Sequence, residues 1–258
     1  MSEKLEPLVR RGLERGVVTL TLDSPANRNA LSTRLVAELT EGLAQADGDK
    51  EVRAVVLTHT GSVFCAGADL KEATSDDPAS GPRNLVQLMR TIVELSKPVL
   101  AKVDGHVRAG GLGLIGACDI AVSGPKSTFA FTEVKLGLAP AVISLPLLPR
   151  LDPRAASAWY LTGAVFDSRE AERIGLVTRA EADADGLAAA CEEFLDSLRK
   201  ASPQGLAETK QLVTADVLAS FDERRDAMIE TSTRLFGSPE AQEGMRAFLE
   251  RRPPSWAQ

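Results

Sequence analysis

Two glycine turns, each preceded by an apolar β-branched run, constrain this chain more than any other feature. The first, FCAGADLKE at residues 64–72, follows AVVLT at 54–58. The second, HVRAGGLGLIGACD at residues 106–119, follows PVLAKV at 98–103. Runs of this kind read as strands buried on both faces. A glycine just beyond such a strand lets the backbone come close to a ligand. Each turn is expected to open into a helix, whose first N–H groups have no intrahelical partner and point at whatever lies in front of them. Two such turns facing one another could hold one negatively charged oxygen, which is the physical description of an oxyanion hole.

The rest of the chain fits a mixed α/β protein. Hairpin strands are expected at residues 8–12 and 17–22, a helix capped by Ser32 runs to about Ala46, and a strand covers 52–58. TSDDPASGP at 74–82 reads as a loop, followed by a helix at 84–95. Beyond the second turn, short strands are expected at 120–122, 128–131 and 176–178, and helices at 153–161 and 168–174. From about residue 184 the pattern is almost wholly helical: 186–199, 205–218, 221–236 and 239–250. This shift suggests a mixed core, 1–195, and a helical C-terminal region, 196–258. With 258 residues, 44% hydrophobic, there is ample length for a sizeable core.

Composition excludes several functions. Thirty Lys and Arg against thirty-six Asp and Glu give a net charge of −6, so no basic face for nucleic acid is expected. No apolar run approaches the ~20 residues of a membrane span. The N-terminal MSEKLEPLVRRG has no apolar segment of the secretory kind, so a cytoplasmic location is expected. The three cysteines, Cys65, Cys118 and Cys191, read as reduced thiols. No CxxC or HExxH is present, and with two histidines no metal site is expected.

Within the second turn, Gly111, Gly113 and Gly116 satisfy GxGxxG, with Glu133 about twenty residues on. The context is wrong for dinucleotide binding: the motif lies mid-chain, its helix is short, and two short strands intervene before the acidic residue. Glu133 itself sits in FAFTEVKLGLAP at 129–140. An isolated glutamate is usually a solvated surface residue. Near two convergent helix N-termini in an apolar pocket, it becomes a candidate general base with a raised pKa. His106 could exchange a proton and Arg108 could pair with a substrate carboxylate, though both residue types are more often structural. A triad of Asp104, His106 and Ser144 has no GxSxG elbow behind it.

Taken in order, these segments resemble the enoyl-CoA hydratase/isomerase (crotonase) superfamily across essentially the whole chain. FCAGADLKE resembles its first oxyanion-hole loop, KVDGHVRAGGLGLIGACDIAV its second, and FTEVKLGLAP the segment with a catalytic glutamate. DSREAERIGLVTR at 167–179 and EGMRAFLERRPPSW at 243–256 resemble its later elements. The resemblance implies an α/β spiral of strand–strand–helix repeats with a helical C-terminal region that builds trimers or hexamers. It makes the N–H groups of Ala68 and Gly110 the oxyanion hole and Glu133 the catalytic base. Arg28, Ala30 and Leu31 in NRNAL, with Ala66, Asp69 and Leu70, would line the path of coenzyme A, and Arg251 would reach its phosphates. Gly111, Gly113 and Leu138 complete the expected substrate-binding set. No separate cofactor is implied, since coenzyme A arrives as part of the substrate.

One departure stands out. Two-glutamate hydratases of the family carry their first glutamate where this chain has Gly113. A glycine there is expected to leave room for a bulkier or branched acyl group, or else to permit close helix packing. The resemblance therefore implies a 2-enoyl-CoA hydratase of the one-glutamate type, on a branched or glutaconyl-type acyl group. The alternatives are a Δ3,Δ2-enoyl-CoA isomerase using Glu133 alone and a non-catalytic acyl-CoA-binding oligomer.

Overall fold

The computed structural model describes residues 6–69, 72 and 79–257. Strands β1 (Val9–Glu14) and β2 (Val17–Leu22) form a hairpin. Its two turn residues, Arg15 and Gly16, both have positive φ (47° and 74°), the backbone twist that suits a tight hairpin. Helix α1 (Thr33–Gly48) begins where Ser32 Oγ accepts the Leu35 N–H, as expected of an N-cap. Then come β3 (Ala54–His59), β4 (Val63–Cys65) and α2 (Ser80–Glu94), followed by β5 (Val99–Val103), β6 (His106–Arg108) and α3 (Gly110–Ala117). Next are β7 (Ile120–Ser123) and β8 (Thr128–Ala130).

These elements are the strand–strand–helix repeats. The first repeat puts both of its strands, β1 and β2, in a six-stranded sheet, β1-β2-β3-β5-β7-β10; the next three give it β3, β5 and β7 and send β4, β6 and β8 to a smaller sheet, β4-β6-β8-β9. Beyond β8 follow α4 (Ser144–Leu147), α5 (Pro153–Thr162), β9 (Phe166–Asp167), α6 (Ser168–Arg173), β10 (Arg179–Ala180) and α7 (Ala184–Lys200). The chain ends in α8 (Pro203–Val213), α9 (Ala215–Phe236) and α10 (Pro239–Glu250). No helix among the described residues is long and apolar enough to cross a membrane.

The inner strands of the large sheet are covered on both faces, which is why β3, β5 and β7 are mostly apolar, whereas the edge strand β1, VRRGLE, is largely exposed. On β3, Val55 and Leu57 point into the main core with α1, α2 and α3, while Ala54 and Val56 point the other way, against Leu187, Ala190 and Cys191 of α7. The C-terminal helices share the main core: Val217 and Phe221 of α9 are buried in it, and α9 packs on α2 and α4.

Several boundaries differ from the sequence reading. The first glycine turn is followed by no helix among the described residues. Residues 66–69 form a turn with no helix, Ala68 bridges to Leu31, and α2 starts only at Ser80. Of the expected 74–82 loop, 74–78 lie outside the described residues and 80–82 are the first turn of α2. The strand expected at 176–178 is displaced to Arg179–Ala180, because Leu176 and Val177 close the end of α6 by donating to Ala171 O. The break between the long helices falls at Thr214, four residues before the expected one, where the Thr214 hydroxyl takes the Lys210 carbonyl.

Lys210 explains why the chain turns there. Its ammonium is buried and donates to the carbonyls of Ile92 (2.8 Å) and Lys97 (3.1 Å), and it pairs with Asp119 Oδ2 at 2.8 Å. Asp119 in turn accepts the Val99 N–H (2.7 Å) and so ties α8 to the start of β5. Removing one partner of a buried pair strands the other charge. Lys210→Met is expected to lower the unfolding free energy by about 3–5 kcal/mol, read from urea denaturation followed by circular dichroism.

Candidate active site

Strands β4 and β6 are parallel neighbours in the small sheet, so the turns that leave them lie side by side. In the first turn, Gly67 has φ +93°, and a Cβ there would stand 2.8 Å from the Ala109 Cβ of the second. The Ala66 N–H donates to Arg28 O (3.1 Å), and Gly67 O accepts the Leu31 N–H (2.8 Å). The segment 28–31 is thereby laced to the turn. Asn29, fully buried with φ +51°, fixes that segment. Its amide donates to Thr60 O (3.1 Å) and Val63 O (2.7 Å) and accepts the Ser24 N–H (2.7 Å).

The second turn passes through Ala109 at φ 46°, ψ −119°, a conformation that an L-residue with a Cβ enters only under strain. Gly110 then opens α3. A Cβ on Gly110 would meet Leu31 Cδ1 at 2.8 Å, and one on Gly111 would meet Cys65 Cβ at 2.8 Å. The glycines are there because the two turns touch. Among the described residues, neither the Ala68 N–H nor the Gly110 N–H has an acceptor within the protein. Cys65, between them, is inert: burial pushes its thiol up to about 12.

Glu133 lies in a short 3-10 segment, Thr132–Leu136, directly after β8. Gly137, with φ 71°, ends the segment by abutting the backbone of Glu240 on α10, so the C-terminal helix clamps it. Glu133 is 8% exposed, and its Oε2 has no hydrogen-bond partner. Burial raises its pKa to about 7, against a small opposing pull from its own backbone N–H. The only tyrosine in the chain, Tyr160, packs against Phe131 with ring centroids 4.2 Å apart and the planes tilted by 39°. Burial pushes its hydroxyl upward, and the Glu133 charge adds to that.

Ala68, Gly110 and Glu133 line one cavity of about 440 Å³. Arg28, Ala30, Ala66, Asp69 and Leu138 line it too. Asp69 accepts from the Asn27 amide at 2.8 Å. Four other predicted residues stand outside the lining, and a fifth lies outside the described residues. Leu31 backs the cavity by pairing with Ala68. Gly111 faces Cys65 and Val107 behind the wall. Arg251 is exposed at the left-handed C-cap of α10, outside the lining. Leu70 lies outside the described residues. Gly113 corrects the sequence reading most: a Cβ there would lie 2.6 Å from Met89 Sδ and 2.8 Å from Ile143 Cγ2. The glycine admits these two side chains, the close packing the sequence also allowed, and the position itself offers no space to an acyl group.

The other candidates do not assemble. Arg108 reaches the cavity wall, but its guanidinium folds back onto Val107 O, Thr128 O and Thr128 Oγ1. His106 is exposed beside Thr128 Oγ1 (2.9 Å), and the Asp104 N–H donates to His59 instead. Ser144 donates to Pro140 O at 2.6 Å, so no triad forms. The sequence reading missed the far side of the cavity, which Leu85, Val142 and Ile143 form with Ser232 and Phe236 of α9 and Phe248 and Leu249 of α10. Only the amphipathic pattern of the last two helices hinted at it.

The model of one family, enoyl-CoA hydratase/isomerase, matches residues 12–258. The crystal structure of an enoyl-CoA hydratase from Mycobacterium avium superposes with a TM-score of 0.91 at 52% identity, covering 98% of this chain and all of that one. The mevalonyl-coenzyme A hydratase sidH of Aspergillus fumigatus is 34% identical over 249 residues, 93% of this chain and 91% of its own. An enoyl-CoA hydratase of Mycobacterium tuberculosis is 31% identical over 245 residues, 92% of this chain and 91% of its own. With turns, carboxyl and cavity arranged as they are and the likeness running from end to end, this chain belongs to the enoyl-CoA hydratase/isomerase family.

Proposed function

We propose that the protein adds water across the double bond of a 2-enoyl-CoA thioester. The observation that carries this reading is a buried carboxyl with an unpartnered oxygen and a pKa near 7, in one cavity with two N–H groups that lack acceptors. The thioester oxygen accepts from the Ala68 and Gly110 N–H groups. As negative charge gathers on that oxygen, each donor contributes about 3–4 kcal/mol in sites of this type. Ionised Glu133 takes a proton from water while the water oxygen bonds to the β-carbon. The protonated carboxyl then returns that proton to the α-carbon of the enolate. Both transfers pass through one group, and the balance is one water gained.

A pKa near 7 suits this double duty, since both protonation states are well populated at neutral pH. Coenzyme A enters only as part of the substrate. The names of the hydratase relatives support hydration. The isomerase reading draws on α3, which is Gly, Leu, Ile and Ala throughout and supplies no second carboxyl. There Glu133 would carry a proton from the α- to the γ-carbon. Self-association as a trimer or hexamer in the cytoplasm belongs to the same proposal, and the exposed Leu161, Val165, Leu212 and Val213 are apolar surface that an assembly would bury.

Glu133→Gln is expected to lower kcat on a 2-enoyl-CoA by about 10²–10⁴-fold while CoA-ester binding persists, read by single-turnover kinetics and calorimetry. Mass spectrometry of products from 2-enoyl and 3-enoyl esters decides between the two enzymes, because only hydration adds the mass of water. Ligand binding with no turnover of either ester would leave a non-catalytic binding protein.

The same group gives a stability test. The folded pKa lies above the unfolded value of 4.5, so ionising Glu133 destabilises the fold. The cost is absent below pH 4.5, grows up to about pH 7, and is complete above it. Relative to the wild type, Glu133→Gln should gain up to about 3 kcal/mol between pH 4 and pH 8, measured by urea unfolding at both pH values.

A further inference from the structure

Ser232 is a buried hydroxyl that nothing in the protein uses. It is 6% exposed, lines the cavity, and lies on α9 one helical turn inward of Phe236. A serine or threonine inside a helix ordinarily satisfies its hydroxyl on the carbonyl four residues back. Thr40, Ser157, Thr162, Ser197 and the adjacent Thr233 all do so here. Ser232 makes no such bond and has no other partner. Ser220, earlier on α9, also lacks this bond, but its Oγ is fully enclosed; Ser232 differs in lining the cavity, where a hydroxyl left unmatched by the protein is open to a ligand atom.

The surroundings narrow that atom. The neighbouring walls are apolar: Leu85, Val142, Ile143 and Phe236. The cations among the described lining residues come from other elements. Arg28 is on the early loop, Lys135 is exposed on the 3-10 segment, and the Arg108 guanidinium is engaged with Thr128. A carboxylate beside Ser232 would find no cation on α9's part of the lining, Ser232 and Phe236, and its desolvation costs more than one hydroxyl returns. A neutral oxygen meets no such penalty. Toward α3, Met89 and Ile143 press on Gly113 and close the wall, so the acyl group gains no depth there.

Resting on the reading of the cavity as an acyl-CoA site, we propose that the acyl group this protein selects carries a neutral oxygen, hydroxyl or keto, which Ser232 Oγ hydrogen-bonds. Specificity of this kind arises because the unsubstituted chain leaves the hydroxyl unpaired in a dry pocket.

The test compares 2-enoyl-CoA esters of equal chain length: unsubstituted, hydroxyl- or keto-bearing, and ending in a carboxylate. The wild type is expected to favour the oxygenated ester in kcat/KM by about tenfold, and Ser232→Ala to bring that ratio down toward one, with circular dichroism showing the same fold. The inference is overturned if the ratio is unmoved by Ser232→Ala, if the unsubstituted ester is preferred, or if the carboxylate ester is. Should no ester be turned over, calorimetric binding of the matching saturated esters gives the same ratio for the same two proteins. Loss of turnover with the ratio intact would count against hydration alone, and turnover without the ratio against Ser232 alone.

Discussion

The structure depends on one close approach: the backbone of Gly67 against Ala109 and Gly110. Two parallel strands of the small sheet deliver the turns side by side, but strand spacing alone would leave room for side chains between them. Only the absence of a Cβ at Gly67, Gly110 and Gly111 lets the turns touch each other, Leu31 and Cys65. Ala109 bears the strain of this geometry, a cost of order 1–3 kcal/mol. Its surroundings hold it: its N–H reaches Ala130 O on β8, and its carbonyl accepts from Leu112 in the first turn of α3. Fixed in this way, the two turns leave the Ala68 and Gly110 donors without internal acceptors. Asn29 does the same for the adjoining segment, converting a surface loop into part of the wall.

Burial of Glu133 is the second constraint, and it comes from the far end of the chain. The 3-10 segment that carries it would be open to water on the evidence of sheet and turns alone. Helix α10 prevents this by seating the Glu240 backbone on Gly137, where a side chain could not fit. Helix α9 closes the opposite side through Ser232 and Phe236, and its own position is set by α2, α4 and the buried Lys210 of α8. The raised pKa of Glu133 is thus a property of the helical C-terminal region as much as of the core, because desolvation is what raises it.

What was legible in the sequence was whatever depends on local pattern. Continuous apolar runs located the inner strands of the large sheet, Ser32 located the start of α1, and the two glycine turns marked backbone that lines the cavity. Glu133 was legible through its company. What was hidden depends on contacts between distant segments. Strands β4 and β6 are three residues each and pair only because their neighbours in the large sheet bring them together. The environment of Gly113 could not be read at all: the residues that fill its space lie 24 positions before it and 30 after it. Ser232 was hidden for the opposite reason, since nothing in a polar residue on an amphipathic helix marks the one that faces a cavity.

Gly113 also bears on the chemistry. A carboxylate on α3 would need the volume that Met89 and Ile143 occupy, so the difference from two-carboxylate sites spans three elements and is no single substitution. Of α3 only Gly110 reaches the cavity, and the helix carries no ionisable side chain, so it offers Glu133 no second carboxyl. One carboxyl can then serve where two would otherwise be needed. It is strong enough as a base when ionised, a competent acid once it holds the proton, and close to balance between the two at neutral pH. On the proposed hydration, the proton that Glu133 takes from water finds no carboxyl on α3 to go to, so returning it to the enolate is the shortest path that restores the site.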